Sequence, residues 1–106
     1  MKRGSIWWVE FDPVIGSEIK KTRPAVIVSN DVANCFLSRV IVIPLTGNTS
    51  KVYTGEAVVK IGATYSKAVA DQIRAVDKLR LKSRIGTLSV PDMEMINDII
   101  RLHLNL

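Results

Sequence analysis

Hydrophobic and polar positions alternate in short runs along most of the chain, and only at its end do the hydrophobic ones recur at helical spacing. Ser5-Ile6-Trp7-Trp8-Val9-Glu10-Phe11 is aromatic and β-branched, which favours a strand. Alternation puts Trp7, Val9 and Phe11 on one face and Ile6, Trp8 and Glu10 on the other. With one face as the main core, one of the two tryptophans is expected at an interface or a partner. Asp12-Pro13 ends this strand, since proline lacks an N–H and restrains the residue before it. Residues 12–22 follow as a polar, glycine-containing loop with Lys20 and Lys21 near its end. Arg23–Ser29 reads as a second strand, with Pro24 at its start where no central ladder bond is lost. Asn30-Asp31 signals a turn or cap leading into a short, helix-like connector through Phe36.

Arg39–Leu45 has almost no alternation and is expected to be buried on both faces. Residues 46–55 read as a loop. Short strands follow near Glu56–Lys60 and Lys67–Asp71 around a Gly62 turn, then Gln72–Val76 and Arg84–Leu88. Ser89-Val90-Pro91-Asp92 is a helix start: serine cap, early proline, acidic first turn. Met93, Met95, Ile96, Ile99, Ile100, Leu102 and Leu104 form a wide apolar face behind it. Many short strands and one C-terminal helix predict a mainly β fold with a small, strongly bent antiparallel sheet or half-open barrel.

The chain has 106 residues, 47 % apolar and 24 % charged, enough for one domain spanning 1–106 and one real core. The longest apolar run, Val40–Leu45, is far short of the roughly 20 residues of a membrane helix, so no membrane partner is expected. The first residues lead directly into a strand rather than a signal-peptide core. Cys35 is the single cysteine, which excludes an internal disulfide framework and a multi-cysteine zinc site. A cytoplasmic location fits both observations. Net charge is +5, from 15 Lys and Arg against 10 Asp and Glu, which favours polyanionic partners without proving them.

Several chemistries are absent. There is no phosphate-cradling GxxxxGK[ST] or GxGxxG loop, no HExxH, and no cysteine–histidine cluster. The single histidine, His103, lies in the terminal helix and reads as structural or interfacial. One chain therefore has no pair of histidines to act as acid and base, and a Ser-His-Asp triad is disfavoured. What remains is cationic and hydroxyl chemistry at strand ends. If the strands beginning at Arg23 and ending before Thr46 are neighbours, those two residues converge. A guanidinium binds phosphate bidentately and stabilises developing charge, and a threonine hydroxyl donates to a phosphate oxygen. Glu18 lies close enough in sequence to orient such cations. On spacing alone, an arginine placed like Arg23 is more often a solvated surface residue, and a threonine placed like Thr46 is more often a turn residue. Lys78, Arg80, Lys82 and Arg84 recur at period two and would line one face of an extended segment, either along a phosphate backbone or as a charged sheet edge. Asp71 and Asp77 lack a third carboxylate at metal-binding spacing. Hydrogen bonding or an ion pair with Arg74 suits them better.

Taken in order, the motifs carry a resemblance. Arg3-Gly4-Ser5-Ile6-Trp7-Trp8-Val9-Glu10-Phe11-Asp12-Pro13 resembles the opening of the MazF/PemK toxin endoribonucleases. So do Gly16-Ser17-Glu18, the run Lys21–Ser29, Val42-Ile43-Pro44-Leu45-Thr46 and the run Ala70–Lys78, followed by Arg84–Ser89 and the terminal helix. The resemblance covers essentially the whole chain.

It implies an SH3-like barrel with a C-terminal helix, usually a homodimer, that cleaves single-stranded RNA without metal or other cofactor. It also implies a cognate antitoxin with an acidic, partly disordered segment. The family's catalytic positions fall on Arg23, Thr46 and Glu18, and the implied RNA-binding set is Lys20, Lys21, Gly47, Asn48, Asp71 and Gln72. The implied reaction is attack of the RNA 2′-OH on its own phosphorus, giving a 2′,3′-cyclic phosphate, or the 3′-phosphate from its opening, and a 5′-OH. Tyr53 or Trp8 would suit base stacking, or equally packing. Two positions depart from relatives: Val69 stands where one branch has arginine, and Gly47 where many have Ser or Thr. Two alternatives use the same barrel: a toxin that poisons DNA gyrase by binding it, and a catalytically silent RNA-binding barrel.

Overall fold

Strand-forming runs broken by turns become seven strands and two helices in the computed structural model, which describes residues 1–11 and 22–106. In chain order they are β1 (Ser5–Glu10), β2 (Thr22–Ile27), α1 (Asp31–Phe36), β3 (Arg39–Thr46), β4 (Glu56–Ile61), β5 (Thr64–Val69), β6 (Arg74–Asp77), β7 (Leu81–Thr87) and α2 (Val90–Leu104). Two 3₁₀ turns, Ala70–Gln72 and Lys78–Arg80, flank β6. Every pairing is antiparallel. The sheet runs β4-β5-β3-β2-β1-β7, with β6 also on β3. Register shifts between Ile6 and Trp7 and between Trp8 and Val9 bend the β1–β7 pair. The outermost strands β4 and β7 come into contact, and α2 packs on β4, so the sheet curls into a half-barrel closed at one side by the helix.

β3 is the hub. One edge pairs with β2 through Val42, Ile43 and Pro44. Its other edge pairs with β6 over Arg39–Val42 and then with β5 at Leu45 and Thr46. Pro44, which has no N–H to give a ladder, occupies the interval between these two pairings. The chain leaves β5 and returns as β6 through the turn Ala70–Gln72, which therefore sits at the fork.

The expectation of one main core face on β1 is corrected, because both faces are covered. Ile6, Val26, Ile43 and Leu45 pack with Ala57, Val59 and Ala68 under Ile96 and Ile99 of α2. On the opposite face Val9, Ala25, Ile27, Val40 and Val42 pack with Val76 and Leu81, edged by Trp7 and Phe11. α2 covers the face that includes β4 and β5, while β6 and Leu81 of β7 complete the other. Trp8 is the tryptophan left outward, 42 % exposed. β3 departs from two-sided burial at Ile41, which is exposed because it faces the open cavity beside Arg3, Val28 and Ile100.

α2 starts as its sequence dictates: Ser89 accepts the Asp92 N–H at 3.2 Å, with proline in the first turn. It ends at Asn105, whose left-handed φ of 58° lets its N–H return to the last carbonyls. The helix buries Ile96 and Ile99, worth roughly 1.5–3 kcal/mol each. Its apolar face is wider than the core uses, since Met95, Leu102 and Leu104 stay exposed.

The basic residues 78–84 do not form one extended file, which corrects that expectation. Asp77 accepts the Leu79 N–H at 2.8 Å and caps a 3₁₀ turn over Lys78–Arg80. Arg80 then reaches the Glu10 carbonyl at 3.2 Å, and Lys82 lies 3.6 Å from the Glu10 carboxylate. Asp77 is a structural cap, consistent with the hydrogen-bonding reading.

Candidate functional site

Register explains how residues distant in sequence meet. β2 and β3 pair Ala25 with Pro44, Val26 with Ile43 and Ile27 with Val42. Carried two residues further, the same register sets Arg23 across from Thr46, on the face that carries Ala25 and Val42. On the other side of β3, Thr46 pairs with Lys67 of β5. Cross-strand partners share a face. Arg23, Thr46 and Lys67 therefore make a polar row across three adjacent strands, where the apolar ladders run out. Pro24 assists by holding Arg23 in extended backbone.

This row borders a cavity of about 230 Å³ lined by Arg23, Pro44, Leu45, Thr46, Glu56, Lys67, Val69 and Gln72. Val69 gives it an apolar side, while Arg23, Thr46, Gln72 and the Lys67–Glu56 pair give it a polar one. Arg23 and Thr46 are half-buried. Among the described residues, no hydrogen bond or ion pair engages the Arg23 guanidinium. The Thr46 hydroxyl oxygen lies 3.5 Å from the Asn48 N–H, at the limit of a hydrogen bond.

Other sequence-derived candidates divide. Gln72 lines the cavity, placed there by the turn at the β3 fork. Gly47 and Asn48 follow Thr46 into an exposed loop. There the Asn48 side-chain oxygen accepts from the Ser50 hydroxyl at 2.8 Å. Asp71 is exposed and not part of the cavity lining. Glu18, Lys20 and Lys21 lie outside the described residues. Trp8 pairs with Pro24, whereas Arg23 pairs with Val9, so Trp8 sits on the opposite face of the sheet from Arg23. His103 is exposed at the end of α2. Among the described residues, no three His, Cys, Asp or Glu side chains come together as a metal site.

Two lining residues escaped sequence reasoning. Lys67 lies 3.1 Å from the Glu56 carboxylate, with both side chains nearly buried. Glu56 is diagonal to Lys67 across the β4–β5 ladder, where Val58 is the direct partner. A hydrogen bond from the Tyr53 N–H, with the Lys67 ammonium beside it, holds the Glu56 carboxyl below its ordinary value against the opposing effect of burial. The signal in the sequence was opposite charges in two short strands joined by a Gly62 turn.

The sequence model for the PemK-like, MazF-like toxins of type II toxin–antitoxin systems matches residues 2–104. The chain is 39 % identical to Endoribonuclease MazF9 of Mycobacterium tuberculosis, covering 100 % of this chain and 98 % of that protein. It is 36 % identical to Endoribonuclease MazF of Staphylococcus saprophyticus, covering 100 % of this chain and 92 % of the relative. Its fold superimposes with a TM-score of 0.82 on a mycobacterial endoribonuclease solved in complex with its cognate antitoxin, at 23 % identity and covering 100 % and 96 % of the two chains. With the family model spanning nearly every residue, this chain belongs to the PemK/MazF toxin family.

Proposed function

We propose that this chain is a metal-independent endoribonuclease toxin that cuts single-stranded RNA at a short sequence. The observation that carries the reading is the Arg23–Thr46 pair at the mouth of the cavity, with the guanidinium uncommitted to protein among the described residues. Full-length similarity to proteins named endoribonuclease supports it.

In the proposed reaction the 2′-oxygen attacks the adjacent phosphorus as its proton leaves to a base. The P–O5′ bond breaks, and the 5′-oxygen takes up a proton. The products are a 2′,3′-cyclic phosphate, which water opens to a 3′-phosphate, and a 5′-OH. Arg23 neutralises charge on the non-bridging oxygens as the phosphorus becomes five-coordinate, and Thr46 donates to one of them. Glu18 orients the cations. Lys20, Lys21, Gly47, Asn48, Asp71 and Gln72 contact the RNA, Gln72 from within the cavity. DNA lacks the nucleophile and survives.

The same reading includes a homodimer, which would cover the apolar side chains of α2 left exposed, and a cytoplasmic location. A cognate antitoxin with an acidic, partly disordered segment occupies the cavity beside Arg23 and Lys67.

The test incubates the pure protein with a mixed-sequence single-stranded RNA in excess EDTA, with Arg23→Ala alongside, and maps the fragment ends. Cuts at one short motif, 5′-OH ends and dependence on Arg23 are expected. Intact RNA across a library of all short motifs overturns the reading. Gyrase inhibition would then identify a protein-directed poison, and RNA binding without turnover a silent barrel.

A further inference from the structure

The cavity wall formed by β4 and β5 contains a charged pair that the cleavage chemistry does not use. Lys67 and Glu56 are 11 % and 14 % exposed at their side chains. Two charges so shielded lose hydration, and well-packed apolar residues would serve a sheet equally well. What the pair does is visible in its other contacts, which converge on one short stretch of the 47–55 loop. The Glu56 carboxylate accepts the Tyr53 N–H at 2.8 Å, and the Glu56 N–H returns to the Tyr53 carbonyl at 3.0 Å. The Lys67 ammonium donates to the Lys51 carbonyl at 2.9 Å and lies 5.6 Å from the centre of the Tyr53 ring.

Tyr53 is thus fastened at its backbone and attended by a cation at its ring, yet it remains 62 % exposed. A pinned aromatic ring open to solvent is a stacking surface prepared in advance, at little ordering cost on binding. It adjoins two residues that line the Arg23–Thr46 cavity. Trp8, the other exposed aromatic near the start of β2, belongs to the wrong face of the sheet for that role.

We infer that Tyr53 is the residue on which a nucleobase beside the scissile phosphate stacks, and that Lys67 and Glu56 are the positioning residues that hold it there. The inference rests on the ribonuclease reading and assigns its base-recognition surface. Lys67 acts through Tyr53, so its loss weakens substrate binding rather than the chemical step.

The experiment uses a single-stranded RNA oligonucleotide carrying the cleavage motif mapped for the parent protein. KM and kcat are measured for the parent, Tyr53→Ala, Tyr53→Phe, Lys67→Met and the double variant Tyr53→Ala/Lys67→Met. Tyr53→Ala is expected to raise KM about tenfold with kcat little changed, and Tyr53→Phe to keep the parent KM. Lys67→Met is expected to raise KM in the parent background and to add nothing when Tyr53 is already alanine. In parallel, a version made uncleavable by a 2′-deoxy sugar at the cut carries 2-aminopurine beside it. Its fluorescence should be quenched by the parent and by Tyr53→Phe but not by Tyr53→Ala.

Unchanged KM and quenching in Tyr53→Ala overturn the stacking assignment while leaving the ribonuclease reading intact. Additive effects of Lys67→Met and Tyr53→Ala overturn the positioning role. A parent protein that leaves RNA whole overturns both readings. Tyr53→Ala removes an exposed ring, so it decides the stacking question even if Lys67→Met fails to fold.

Discussion

Arg3 and Arg23 each line a cavity, one of about 380 Å³ and the other of about 230 Å³, beyond opposite ends of β2. Arg3 is committed to protein partners. Its Nε donates to the Val28 carbonyl at 2.9 Å, its guanidinium reaches the Asn97 side-chain oxygen at 2.5 Å, and its backbone N–H goes to Asp31 at 2.7 Å. That arginine ties the first residues of the chain to β2, α1 and α2. Arg23 makes no such bonds among the described residues, and the polar groups that line its cavity are a hydroxyl, an amide and the Lys67–Glu56 ion pair. The larger cavity is therefore bounded by a structural arginine, and the smaller one by an arginine available to an anion.

Substitutions can break this contrast. Arg23→Ala should lower the RNA cleavage rate by about 10²–10³-fold with little change in melting temperature, the scale of losing one preorganised donor to developing charge. Equal loss of stability and activity would erase the distinction between the two arginines. Thr46→Ala should cost less, about 10-fold to 100-fold in kcat, with Thr46→Ser retaining most of the rate, since the hydroxyl contributes one hydrogen bond to phosphate.

Arg3→Ala should do the reverse: about 1–3 kcal/mol of stability lost in urea unfolding, with the folded protein cutting at the parent rate. Ser89→Ala should cost about 1 kcal/mol by removing the α2 cap. The smallest effect concerns acid. The Glu56 carboxyl titrates lower in the folded chain than in the unfolded one, so its stabilisation is present above the unfolded pKa of about 4.3 and fades as pH falls through the folded value. Glu56→Gln should make stability less dependent on pH in that window, as read from thermal melts between pH 5 and 2.5.

Local chemistry made much of this molecule legible. Ser89, Pro91 and the spacing of Ile96 and Ile99 marked α2, and the turn at Gly62, with φ of 59°, marked the β4–β5 hairpin. The adjacency of Arg23 and Thr46 was a conditional statement in the sequence, and the β2–β3 register satisfied the condition. What stayed hidden depended on distant partners. Nothing near Pro44 announces that β3 changes neighbours there. The break in the basic file came from a single carboxylate, Asp77, whose capping of Leu79 overrides simple alternation. Lys67 and Glu56 lie eleven positions apart and become a pair only once β4 folds back on β5.

The pairing of Ser5 with Thr87 joins the first strand to the last. During synthesis the amino-terminal strand must therefore wait, one edge bare, until the ribosome has delivered β7. The cavity faces the same delay, since Arg23 and Thr46 emerge well before Lys67 and Gln72 complete its wall. A partly made chain has the cation without the enclosure. A truncated product ending before β5 would carry Arg23 and Thr46 without the strand and turn that complete the cavity wall around them.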